Sequence, residues 1–284
     1  SFTRYVGGQA ANLAMNMSRL GFNSAVAACV GYDGLGQYAR DQIRQSGVHT
    51  TFIQTTREAP TTIASITRQT QTPDFIIHRG ADAFLRPSNE LTETVSNSSI
   101  VHTSAFALSR EPARTTILAA LQTAHDEGRK ISLDPNFDTT IWPDSADFVD
   151  ILKETFQLVD FTKPSLEDCS RIFGPRNTAR EYAHLFLDWG AKTVLVSRGD
   201  QGVFFANTSG DEYEISAHED LHVVDVTGAG DAYWAGFLAA TLNDLPGLKA
   251  ACIGQAVAEL KISQVGPLEM LPDWHEIQDL AAFL

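Results

Sequence analysis

Residues 225–237 read DVTGAGDAYWAGF, and the fold turns on this stretch. The apolar run Val223–Val226 predicts a strand leading into Thr227-Gly228-Ala229-Gly230-Asp231, and an apolar helix is predicted from Ala232 to about Leu242. Small residues at such a turn let backbone amides approach a ligand closely. The amides of Gly228, Ala229 and Gly230 have no partner inside the helix and lie at the positive end of its dipole, so they favour an anion. Asp231 adds a carboxylate in the first helical turn. A fixed base beside anion-binding amides is what phosphoryl transfer to a hydroxyl requires: the base takes the proton, and the amides stabilise charge on the phosphoryl oxygens. An aspartate here also suits a plain helix cap, and both readings stand at this point.

Working outward, apolar strands alternate with helical patterns. Helices are predicted over Ala10–Leu20, Leu35–Ser46, Glu111–Glu127, Ser145–Gln157, Ser165–Phe173 and Thr178–Trp189, with two more over about 246–263 and 273–283. Strands are predicted over Ala25–Val30, Lys130–Asp134, Leu158–Phe161, Thr193–Ser197 and Gly202–Ala206. This alternation predicts an α/β fold, a doubly wound and mostly parallel sheet flanked by helices. Residues 49–80 differ: TTFIQTT, TTIASITRQ and DFIIH are Thr- and Ile-rich and broken by Pro60 and Pro73. They predict short antiparallel strands, a small β lid inserted into one domain that spans 1–284.

Composition narrows the function. A net charge of −14 disfavours nucleic acid, which wants clustered Lys and Arg. The 43% hydrophobic content supports a sizeable core, while no apolar run approaches the ~18 residues of a membrane span. The opening residues SFTRYVGG lack the pattern of a cleaved leader. Cys29, Cys169 and Cys252 are widely spaced, which points to a reducing compartment and a cytoplasmic location.

At this point the chain resembles the ribokinase-like (PfkB) family of carbohydrate kinases. The segment Asp225–Phe237 is similar to one family signature. GGQAANLAMNMSRLG (Gly7–Gly21), followed by VGYDGLGQYARDQIRQSGV (Val30–Val48), resembles the other, about 200 residues upstream. SLDPNF (132–137), KPSLED (163–168) and SRGDQG (197–202) match between them in order. The resemblance implies ATP and Mg²⁺, with Asp231 as general base and Gly228, Ala229 and Gly230 as the anion hole. It places Gly7, Gly8 and Asn12 at sugar hydroxyls. An amide side chain suits that task because it donates and accepts. Arg79 resembles the arginine of an aromatic–Arg pair at the sugar of some members. Ser197, Gly199 and Gly202 would line the nucleotide, Thr227 would join them, and Gln255 matches an asparagine near the adenine. Asp225 matches a ligand of a monovalent cation, K⁺.

The chain departs from the family in four places. The family's NxxE pattern, which organises Mg²⁺ largely through water, is replaced by Ser165 and Asp168; Asp168 keeps the carboxylate. Asp138 stands where a basic residue often follows the DPN segment (Asp134–Asn136). His78 replaces the aromatic beside Arg79. The family's opening strand and aspartate turn precede the point where this sequence starts, so residues before Ser1 are expected.

The expected activity is ATP-dependent phosphorylation of a small sugar or sugar acid, fructokinase-like or ketodeoxygluconate kinase-like, with a homodimer formed through the lid. A nucleoside kinase and a non-catalytic sugar-binding regulator are the alternatives. His218–His222 matches the HExxH zinc pattern, but only about one turn of helix fits before the next strand, and no third ligand follows. It reads as a chance match. No GxxxxGK[ST] sequence occurs, which disfavours P-loop chemistry.

Overall fold

The computed structural model describes residues 3–67, 74–142, 145–176, 178–218, 221, 223–264, 271–272 and 274–282. Helix α1 (Gln9–Arg19) starts from Gly8, whose φ of 103° suits glycine. Strands β1 (Ala28–Gly31) and β2 (Ile53–Thr56) form a parallel pair, with α2 (Gly34–Gln45) as the crossover between them. Asp33 caps α2, accepting from the amides of Leu35 and Gly36. Strands β3 (Ile63–Thr67) and β4 (Asp74–His78) pair antiparallel.

The middle of the chain alternates as α3 (Asn89–Asn97), β5 (Ile100–Ser104), α4 (Ala113–Asp126), β6 (Lys130–Asp134), α5 (Ser145–Phe156), β7 (Phe161–Thr162), α6 (Leu166–Phe173), α7 (Ala179–Asp188) and β8 (Thr193–Ser197). The hairpin β9 (Val203–Asn207) and β10 (Glu212–Ile215) leads to α8 (Ala229–Leu242), α9 (Gly247–Ile262) and α10 (Trp274–Ala281).

The main sheet has the order β10-β9-β8-β7-β6-β5. Strands β5 to β8 run parallel, and β9 and β10 are antiparallel additions. Strand β8 shows why both faces are apolar. Val194 and Val196 point to a layer holding Phe148, Leu152, Phe156 and Phe186, while Leu195 points to the opposite layer, with Trp234, Phe237, Ile253 and Val257. Side chains alternate across a strand, so a sheet covered on both faces needs apolar residues at consecutive positions.

Helix α8 is buried at every residue from Ala232 to Ala240, as expected for a helix that is apolar all round. It crosses α9 at backbone distance. A Cβ on Gly236 would lie 2.9 Å from the Ile253 carbonyl oxygen, and one on Gly254 would lie 2.9 Å from that of Tyr233. The indole Nε1 of Trp234 donates to Ser132 Oγ at 2.8 Å, and His102 Nδ1 meets the same oxygen at 2.8 Å. One hydroxyl thus ties β5, β6 and α8 together. Burial, aided by the charge of Lys163, lowers the His102 pKa to about 3, so this tie is uncharged.

Three expectations are corrected. Val223–Val226 is not a strand: Val223, Val224 and Val226 are 54%, 42% and 48% exposed. The amides of Val224 and Asp225 donate to the carbonyl of Ile262 at the end of α9 rather than to a sheet neighbour. Within 49–80, β2 pairs in parallel with β1, and only β3 and β4 are antiparallel. The strand expected at Leu158–Phe161 is the two-residue β7, because Leu158 and Val159 close the end of α5 by hydrogen bonds to Thr155 and Phe156. Arg68–Pro73 lie outside the described residues, as do Glu219, Asp220 and His222 of the HExxH match and Ser1. Among the described residues no helix is long and apolar enough to cross a membrane.

Candidate active site

Parallel strands deliver their following residues to one edge of a sheet, and ligands of α/β proteins bind beyond that carboxyl edge. Here β6 ends at Asp134, β7 is followed by Lys163, and β8 ends at Ser197. The N-terminus of α8 faces the same edge. Gly228 takes φ 80° as the N-cap, Ala229 and Gly230 open the helix, and Asp231 stands in its first turn. The capping alternative for Asp231 is therefore removed, since Gly228 occupies the cap.

Asp231 instead accepts a hydrogen bond from Asn12 Nδ2 at 2.8 Å, although 219 residues separate the two. Asn12 sits in the first turn of α1, with its amide bonded to the Gly8 carbonyl at 2.8 Å. The two ends of the chain thus meet side chain to side chain. Burial raises the carboxyl of Asp231 above the usual carboxylate range, while the Asn12 hydrogen bond and the charge of Lys163 pull it back.

Lys163 was not singled out in the sequence. Its side chain is 7% exposed, and Nζ lies 3.5 Å from Asp134 Oδ2 and 3.3 Å from where a Cβ on Gly230 would sit. The Lys163 side chain therefore stands directly against Gly230 at the start of α8. Burial pushes Asp134 up to about 6 despite Lys163 beside it; Asp168 and Asp231 add to the rise. Lys163 thus lies beside Asp134 and within electrostatic reach of Asp231. The signal for it is positional: it follows β7 at the carboxyl edge, next to the strand that ends in Asp134.

The KPSLED departure has a local explanation. Ser165 caps α6: its Oγ accepts from the Asp168 amide at 3.0 Å, and the Asp168 carboxylate takes the Ser165 amide at 3.2 Å and its hydroxyl at 2.6 Å. The other Asp168 oxygen accepts from the Phe137 amide at 3.1 Å. Asp168 thereby fixes the segment after β6, where Asn136 takes a positive φ of 25°. Asp138 accepts from Thr140 in a turn of its own.

Other expected residues lie around this centre or are engaged elsewhere. Gly7 and Gly8 are exposed at the start of α1. Gly199 (φ 64°) and Gly202 (φ 79°) shape the turn after β8, and the Ser197 hydroxyl reaches the Pro164 carbonyl at 3.4 Å. Thr227 is exposed, and its amide donates to Asp225 Oδ1 at 3.0 Å. Gln255 is 7% exposed on α9 and donates to Glu259, which also receives His218. Arg79 braces the base of the β3–β4 hairpin. Its Nε donates to Asp82 at 2.7 Å and its Nη1 to Ser109 at 2.7 Å, and its guanidinium lies 4.0 Å above the Phe106 ring. Thr62 also bonds to Asp82. Three of its five N–H groups are held in this way, so Arg79 serves as a brace here.

Residues 1–274 match the model of the family described as pfkB family carbohydrate kinase. The chain belongs to the pfkB family of carbohydrate kinases. An ATP-dependent 6-phosphofructokinase of Thermoanaerobacterium thermosaccharolyticum is 32% identical to this kinase over 99% of the chain and 86% of its own length. The fructokinase structure of Halothermothrix orenii superposes with a TM-score of 0.80 at 31% identity, covering 94% of this chain and 90% of the other. A putative ribokinase II from E. coli, solved in complex with ATP and Mg²⁺, has a TM-score of 0.84 at 23% identity, covering 98% of this chain and 89% of its own, and shows the shared fold. The ribokinase-like architecture expected from the two signatures is thus present, and the Asn12–Asp231 bond joins those signatures in this kinase.

Proposed function

We propose that this kinase transfers the terminal phosphoryl group of ATP to a hydroxyl of a small sugar, with fructose the first candidate. The observation that carries the reading is the bond between Asn12 and Asp231, because it unites the expected sugar-binding end of α1 with the base and anion turn of α8. Asp231 takes the hydroxyl proton, and the freed oxygen attacks phosphorus while the bond to ADP breaks. The Gly228–Gly230 amides and the Lys163 ammonium stand where negative charge grows. The β3–β4 hairpin covers the sugar and excludes water. An assay of ADP release across hexoses, pentoses, ketodeoxy acids, nucleosides and fructose 6-phosphate tests this directly; absence of turnover with every acceptor would reject it.

Mg²⁺ needs few protein ligands, since it keeps several waters and binds through one or two carboxylates plus substrate phosphates. Among the described residues no group of three His, Cys, Asp or Glu is placed to hold a metal by itself. The donor set of Asp134 and Asp168 fits such an ion, with Asp168 acting through water because its oxygens already serve Ser165 and Phe137. When bound, Mg²⁺ neutralises phosphate charge. Potassium at Asp225 does not fit, because the ammonium of Lys261 already lies against the Asp225 carbonyl.

The lid also carries the proposed dimer. Ile63 and Ile76 are 44% and 59% exposed on a two-stranded hairpin, which is marginal alone in water. A second copy pairing there would cover them. Sedimentation at the mass of one chain, at high concentration, would remove this part of the proposal. Three buried, unpaired cysteines suit the cytoplasm, which cell fractionation tests.

Asn12 has a further expected effect. Its hydrogen bond favours the ionised Asp231, so Asn12→Ala moves that carboxyl further up. The acid limb of kcat/KM against pH then shifts to higher pH by about one unit, the worth of one charge-assisted hydrogen bond. An unmoved limb would show that Asn12 does not tune the base.

A further inference from the structure

The turn that carries Gly228 has a buried ammonium beneath it. Lys261, near the end of α9, is 2% exposed. Its Nζ donates to the backbone carbonyl of Asp225 at 3.2 Å, and its Cε lies 3.8 Å from where a Cβ on Gly228 would sit. The same helix end grips the turn from below: the amides of Val224 and Asp225 donate to the Ile262 carbonyl at 2.7 and 3.2 Å. The Asp225 carboxylate accepts from the Thr227 amide and lies within electrostatic reach of Lys261. Residues 224–228 are therefore latched to α9, and the latch contains a positive charge.

Packing alone does not call for that charge. Burying an ammonium is costly, and an apolar side chain of similar volume in such a place is often neutral or stabilising. The surroundings supply two compensations. The C-terminal end of α9 favours a cation, and so do the carbonyl and carboxylate of Asp225. The third neighbour, the N-terminus of α8, repels a cation until an anion arrives above it. A carbonyl, a carboxylate and a helix C-terminus beneath an anion-binding turn are what a monovalent cation would meet there, and here a side chain already supplies the charge.

We propose that the Lys261 ammonium takes the place of a monovalent metal ion, holding Asp225–Gly228 in its anion-accepting shape so that nucleotide binding needs no K⁺. Lys261 acts through the turn and is a positioning residue. Lys261 lies against Gly228 and Lys163 against Gly230, so a buried lysine meets each of the two glycines. The inference rests on the kinase reading above, and its test separates the two.

The test is calorimetric titration with ADP, in KCl and in tetramethylammonium chloride at matched ionic strength. The wild-type protein is expected to bind ADP equally in both salts, within about twofold. Lys261→Met is expected to bind about tenfold more weakly in tetramethylammonium and to recover in K⁺ or NH₄⁺, while Lys261→Arg keeps most of the affinity. If the Met variant does not fold, Lys261→Gln, which keeps a donor for the Asp225 carbonyl without the charge, carries the same expectation. Wild-type affinity that rises severalfold with K⁺ would overturn the proposal. So would a folded Met or Gln variant that binds normally, or one that loses affinity without responding to K⁺. A wild-type protein that binds no ADP in either salt and phosphorylates no sugar would remove the kinase reading itself.

Discussion

Asp231→Asn is expected to lower turnover roughly 10²–10⁴-fold, the usual worth of a general base. The variant keeps the size of the side chain, and its amide oxygen still accepts from Asn12 Nδ2, so the contact between α1 and α8 survives. Folding should survive as well. Gly228, not residue 231, caps α8, and nine consecutive buried residues hold that helix in place. What disappears is the negative charge and the proton acceptor. Sugar and nucleotide affinities should change little, because the amide turn and the α1 end are untouched. Steady-state turnover measured beside calorimetric binding reads both effects. Near-normal turnover in a folded variant would show that another group takes the proton.

Lys163→Met is expected to lower kcat by about 10²–10³-fold, comparable to removing one donor from an oxyanion hole. The ammonium stands 3.3 Å from the Cβ position of Gly230, against the amides proposed to receive the phosphoryl group. Its loss also leaves Asp134 buried without its partner, which would be expensive if Asp134 stayed charged. Burial has already brought Asp134 up to about 6, and without Lys163 it rises further and takes a proton near neutral pH. The variant should therefore fold, with its largest loss in kcat rather than in thermal stability. Lys163→Arg, which keeps the charge, should retain more activity than the methionine variant. Equal losses in both variants, or a melting transition that falls in step with kcat, would assign Lys163 a packing role instead.

Much of the frame was legible because it depends on short-range rules. Gly228 marked a turn, and the apolar run behind it marked a buried helix. The apolar pattern of Thr193–Ser197 marked a strand covered on both faces. What escaped depended on partners far away in sequence. Helix α3 shows only Leu91 and Val95 to the core, so its apolar signal is thin; its clearest local cue is Ser88 accepting from the Leu91 amide. Strand β5 reads IVHTS, and its half-buried His102 finds its partner, Ser132, only across the sheet on β6. The apolar Val223–Val226 looked like a strand, yet the amides of Val224 and Asp225 go to the carbonyl of Ile262 at the end of α9. In the site, Asn12 and Asp231 were readable as residues but their bond was not. Ser165 and Asp168 form a capping box, a pattern visible in S-x-x-D and overshadowed by comparison with NxxE. Lys163 became visible only once β6 and β7 lay side by side.

The site that joins Asn12, Asp231 and Gly228–Gly230 is proposed to phosphorylate a sugar. The most direct measurement is ADP release by the wild-type protein with ATP and Mg²⁺ across the acceptor panel, with phosphorylated product identified by mass. Turnover is expected to require the acceptor, to favour a sugar such as fructose, and to fall roughly 10²–10⁴-fold in Asp231→Asn. Tight sugar binding with no phosphorylated product from any acceptor would contradict it and leave a sugar-binding protein on a kinase fold.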